Sequence, residues 1–61
     1  MTENYGIQNA AGNWFTGFDR DGNPLFGSKE AAQGFVKHWA EAQAHLLNRY
    51  CASHLTTAPK P

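Results

Sequence analysis

The sequence predicts an α+β fold: a small two- to three-stranded antiparallel meander over about residues 5–26, packed on one long C-terminal helix over about residues 28–50. Three observations carry this. Trp14-Phe15-Thr16-Gly17-Phe18 is rich in aromatic and β-branched residues and is flanked by Gly12-Asn13 and Asp21-Gly22, turn formers on either side of a strand. From Ser28 to Tyr50 the residues favour helix and no proline interrupts them. The 61 residues are 41% hydrophobic and 13% aromatic, too apolar for a disordered chain and enough for one domain only.

Taken in order, Met1 to Asn4 are polar and expected to fray. Tyr5 to Asn9 form a short first strand, and Ala10-Ala11-Gly12-Asn13 a turn in which Gly12 and Asn13 tolerate positive φ. Trp14 to Phe18 are the second strand. Asp19-Arg20-Asp21-Gly22-Asn23-Pro24 is the next turn, and Leu25-Phe26 a third strand that Pro24 confines to an edge. Ser28 is a plausible helix N-cap, with Glu30 in the first turn, where the helix dipole favours an acid. Gly34 is the weak point of the helix, at about 1 kcal/mol relative to alanine. Thr56, Thr57, Pro59 and Pro61 mark a loose tail, so a single domain over 1–61 is expected with frayed ends at 1–4 and 56–61.

Wound as one helix, the segment gathers Ala31, Ala32, Phe35, Trp39, Ala42, Leu46 and Tyr50 into a stripe expected to cover the sheet. Trp14 and Phe18, with Ile7 and Phe26, are expected to face that stripe, leaving Phe15 on the open side of the sheet. A second seam, Val36, Ala40, Ala44, Leu47 and Cys51, lies on the far side of the helix. Its last four members step by 4, 3 and 4, the spacing of a coiled-coil seam, and the seam is expected to mediate self-association. So short a chain has little core, which makes a homo-oligomer attractive.

Charge and cysteine content exclude several classes. Five basic and five acidic residues cancel. Phosphate attraction is therefore weak, and nucleic acid is disfavoured as a partner. No apolar run is long enough to span a membrane, and no basic start leads into an apolar stretch. The single Cys51 cannot form an internal disulfide, which points to a reducing compartment and a cytoplasmic location. Asp19-Arg20-Asp21-Gly22-Asn23 looks like part of a calcium loop. With Asp21-Gly22 at the fifth and sixth positions, however, the first and last ligands would be Gly17 and Ser28, neither of which fits. His38, His45, Cys51 and His54 are zinc-type ligands, but one helix cannot bring all four to one ion, so only a metal shared between chains is left open. Cys51 and His54 lack an orienting third group, and no enzyme activity or cofactor is expected.

Two resemblances bear on function. Gly12-Asn13-Trp14 and the run from Leu25 to Ala32 are similar to the strand and first helical residues of the plant ethylene-response type of DNA-binding domain. Some phage integrase arm-binding domains share the plan of three strands and a helix. This likeness implies a nucleic-acid-binding accessory factor, the alternative reading. Those sheets read DNA with several arginines, whereas this strand region offers only Arg20, between Asp19 and Asp21. The second resemblance rests on Gly12, Trp14, Gly17, Phe18, Asp19, Gly22, Pro24 and Phe26, a G-x-W-x-x-G-F-D-x-x-G-x-P-x-F hairpin pattern ahead of an alanine-rich helix. In this the chain resembles short phage and prophage early-region proteins, which implies a non-enzymatic module that binds a host protein to inhibit or redirect it. The expected partner residues are Phe15 and the charged tip Asp19, Arg20 and Asp21, the tip acting at a polar rim.

Overall fold

In a computed structural model that describes residues 4–51 and 54–60, the chain is α+β: four antiparallel strands with one helix packed on the sheet. The strands are β1 (Tyr5–Gln8), β2 (Trp14–Phe18), β3 (Pro24–Gly27) and β4 (Thr56–Pro59), in spatial order β3-β2-β1-β4. A single 3-10 turn spans Lys29–Ala31, and the helix α1 spans Lys37–Cys51. No helix among the described residues is long and apolar enough to cross a membrane.

The meander is built by one turn used twice. Asn9 Oδ1 accepts hydrogen bonds from the backbone N–H of Ala11 (3.1 Å) and of Asn13 (2.9 Å). Ten residues on, Asp19 Oδ1 accepts from Asp21 (2.9 Å) and Asn23 (2.8 Å) in the same way. In both loops the glycine N–H returns to the carbonyl of the first residue, and that glycine is left-handed, with φ 86° at Gly12 and 85° at Gly22. A side-chain oxygen that organises its own turn, followed by a residue with positive φ, is a three-residue hairpin loop with a bulge. The Asx-x-x-Gly-Asn pattern is thus a short internal repeat.

Between Phe15 and Gly17 the register of β2 against β3 shifts by a bulge. The extra residue reverses the alternation of faces, so Phe18 joins Phe15 rather than Trp14. Their rings meet edge-on with centroids 5.2 Å apart. The expected assignment of Trp14 and Phe18 to one inward face is therefore corrected, and so is the exposure of Phe15. Phe15 is 1% exposed, at the centre of a core with Ile7, Ala44, Leu47 and Leu55. Trp14 is buried as well, on the opposite face. There the backbone of Gly6 comes close to its ring: a Cβ on Gly6 would stand 2.6 Å from Trp14 Cε3 and Cζ3. Lys60 passes the same spot, and its Nζ donates to the carbonyl of Ala32 (2.9 Å). The aliphatic stem of a lysine can cover apolar surface in this way. Both faces of β2 are covered, which a single amphipathic alternation cannot express.

The long helix from residue 28 is shorter than expected. Ser28 makes no side-chain cap, and after the 3-10 turn the chain runs extended. Residues 33–35 enter the gap where β1 and β2 diverge. Gln33 N–H donates to Phe15 O (3.0 Å), and Phe35 and Tyr5 exchange both backbone bonds (2.8 and 3.0 Å). The backbone bonds made here replace those of a helix across Gly34, a residue costly in a helix. Helix α1 then packs over β1 and β4.

The segment expected to fray at 56–61 is instead edge strand β4 over Thr56–Pro59, paired with β1 from Tyr5↔Pro59 to Gln8↔Thr56. Tyr5 spends its backbone groups on Phe35, so its pairing with Pro59 demands no N–H from the proline. The expected fraying of residues 1–3 and of Pro61 lies outside the described residues. Asn4 is exposed and accepts from Lys60 N–H (2.6 Å).

Candidate interaction surface

The helix presents the opposite face to the sheet from the one its large side chains suggest. Ala40, Ala44 and Leu47 are buried against the sheet, and Val36 is half-buried just before the helix. The seam expected to join two copies is therefore the one that holds α1 to its own sheet, and it is closed to another chain. Its fifth member, Cys51, ends the helix, and its side chain lies outside the described residues. Small residues suit this position because Ile7, Phe15 and Leu55 already fill the space beneath the helix. Of the stripe expected to be core, Trp39 is 60% exposed, Leu46 46% and Tyr50 77%. Ala31 and Ala42 are exposed too, while Ala32 and Phe35 are buried or half-buried through the extended connector rather than through a helix.

Handedness decides where the exposed flank of α1 looks. Ile7 and, by alternation, Tyr5 point to the helix side of the sheet, and the backbone groups of Tyr5 point to Phe35 on the β2 side. Seen from the helix with β1 rising, L-residues then put β2 to the right of β1 and β4 to its left. Helix α1 also rises, since it begins beside Phe35 at the Tyr5 end and leads to Thr56 opposite Gln8. A right-handed helix rising with Ala40, Ala44 and Leu47 on the sheet turns Asn48 to the left. The Asn48 amide does clasp Leu55 there, donating to its carbonyl (3.0 Å) and accepting from its N–H (2.8 Å). Trp39, Leu46 and Tyr50 occupy the other flank and so turn toward β2 and β3.

Helix α1 packs chiefly over β1 and β4, and toward β2 and β3 the four phenylalanines form a shelf. Phe15 lies beneath, with Phe26 and Phe35 at centroid distances of 6.0 and 6.3 Å and Phe18 half-exposed beside them. The flank thus turns to the side of the sheet on which these rings lie. No charged residue falls on the flank, whose intervening position is Gln43. Glu41, His45 and Arg49 lie elsewhere around the helix.

The remaining expected site residues are placed as follows. Arg20 and Asp21 stand exposed at the β2–β3 tip. Asp19 is committed to its own turn, and the hydrogen bond from the Asn23 backbone holds its carboxyl below the usual value of 3.8. Among the described residues, no three His, Cys, Asp or Glu side chains converge on a common point. The ring of His38 lies 6.0 Å from that of Trp39. No protein-family model, curated protein or solved structure matches the chain.

Two sequence signals point to the correct helix phase. Gly34 marks the extended stretch that takes Ala31 and Ala32 out of the helix, and the small, evenly spaced Ala40 and Ala44 suit a close approach to a sheet already filled by large side chains.

Proposed function

We propose that this chain is a small non-enzymatic protein-binding module that docks its partner on the exposed flank of α1 and the phenylalanine shelf beside it. The observation that carries this is the alignment of Trp39, Leu46 and Tyr50 on one helix flank, each about half or more exposed. Aromatic side chains dominate binding energy at protein interfaces, and contiguous apolar surface on so small a domain marks an interaction site. Arg20 and Asp21, with Asp19 behind them, supply a polar rim at the hairpin tip. The hairpin pattern shared with phage and prophage early-region proteins extends the reading to a modulator or inhibitor of a host protein in the bacterial cytoplasm.

The test is retention of a protein from bacterial lysate on immobilised chain, followed by titration with the purified partner. Wild-type chain should retain a protein that Leu46→Glu releases, with affinity that changes little with salt. Retention unaffected by Leu46→Glu would move the site off this flank. Binding to nucleic acid that falls steeply with salt would favour the accessory-factor reading instead.

A further inference from the structure

The exposed flank of α1 is self-complementary, and we infer that its occupant is a second copy of this chain, paired helix to helix in antiparallel fashion. The inference rests on the reading that this flank binds protein, and it names what covers the flank in the chain by itself. Positions 39, 43, 46 and 50 step by 4, 3 and 4, a series that reads the same from either end. A two-fold axis between residues 44 and 45 therefore sets Trp39 of each copy against Tyr50 of the other, and Gln43 against Leu46. Every flank residue then has an opposite number, as an isologous interface requires, and the spacing is that of a two-helix seam. Trp39 and Tyr50 lie eleven residues apart, about 16 Å along the axis, so the seam runs most of the length of the 15-residue helix.

Charge and area both agree. No ionised group lies on the flank, so the symmetric pairing brings no like charges together along the seam. With about 150–250 Å² for each aromatic side chain, the exposed parts of Trp39, Leu46 and Tyr50 come to roughly 400 Å² per copy. Two copies bury about 800 Å², the low end of the range for transient contacts, which fits a weak, reversible dimer. The total accessible surface is 4193 Å². The contact thus covers about a tenth of it, the share usual for a small protein's interface.

Sedimentation equilibrium over a wide concentration range, on wild type, Leu46→Glu and Trp39→Ala, tests this. Wild type should dimerise reversibly, and each substitution should raise the dissociation constant by at least about 30-fold, the effect of losing a hot-spot side chain, with the circular dichroism of the monomer unchanged. In a Cys51→Ser background, chains carrying Gln43→Cys and Leu46→Cys should form a mixed disulfide with each other faster than either does with itself. A wild-type monomer at all concentrations would overturn the second copy as occupant while leaving the lysate test of the flank standing. A dimer indifferent to both substitutions would overturn this pairing and, with it, the flank as the site of self-recognition. Disulfides favouring like with like would overturn the antiparallel register.

Discussion

Asn9 and Asp19 do the same work with different chemistry, which makes the meander its own control. Each side-chain oxygen binds two backbone N–H groups of its turn, but only Asp19 titrates. The hydrogen bond from the Asn23 backbone leads in lowering its folded-state pKa below 3.8. A lowered carboxylate pKa means stabilisation that is complete above pH 3.8 and is lost as pH falls through the folded-state value. In an NMR titration the amides of Asp21 and Asn23 should move with this group below pH 3.8, while Ala11 and Asn13 stay still. Joint movement of both hairpins would contradict this. Asp19→Asn should keep the second turn and abolish its acid response. Elsewhere at this scale, Gly6→Ala forces a Cβ to within 2.6 Å of Trp14, and overpacking of this kind costs about 1–3 kcal/mol. Phe15→Ala removes the ring at the core's centre and should cost about 3–5 kcal/mol in a denaturant titration. A change near zero for Phe15→Ala would return that ring to solvent.

Among the elements, the strands and the turn of the β2–β3 hairpin were legible, because turn chemistry and aromatic content are local. Three features were not. The bulge at Thr16-Gly17 changes which aromatic faces inward, and Gly17, with φ 151°, permits it without by itself fixing the shift of register. The break of the helix at residues 32–36 depends on backbone partners supplied by Tyr5 and Phe15, distant in sequence. Strand β4 has a poor strand composition, and it forms because β1 offers a free edge and Asn48 clasps Leu55. That clasp predicts a local effect. Asn48→Ala leaves part-buried backbone groups of Leu55 unpaired and should cost about 1–3 kcal/mol. In hydrogen exchange the amides of Thr56 and Ala58 should lose protection, while those of the β2–β3 hairpin keep theirs. Equal loss everywhere would mean that β4 is no separate unit. Both edges of the sheet carry a proline, Pro24 on β3 and Pro59 on β4, which limits pairing with further strands.

For the whole molecule, the sequence's α+β plan is the observed one, but the side of the helix that meets the sheet is reversed. Wheel reasoning sends the largest side chains inward, and here it counted Ala31, Ala32 and Phe35 as turns of a helix they do not belong to. The sheet's own Ile7, Phe15 and Leu55 leave room only for Ala40, Ala44 and Leu47, so Trp39, Leu46 and Tyr50 are turned out toward β2 and β3. The candidate surface exists because of this phase, and so does the pairing with a second copy. Two adjacent residues test it most directly, in thermal unfolding of dilute Leu46→Glu and Leu47→Glu side by side. With Leu47 buried and Leu46 at the surface, Leu47→Glu should be unfolded at room temperature, since it buries an unpaired charge in a small core, while Leu46→Glu should unfold cooperatively near the wild-type monomer. A folded Leu47→Glu beside an unfolded Leu46→Glu would put the large side chains back against the sheet and remove the surface altogether.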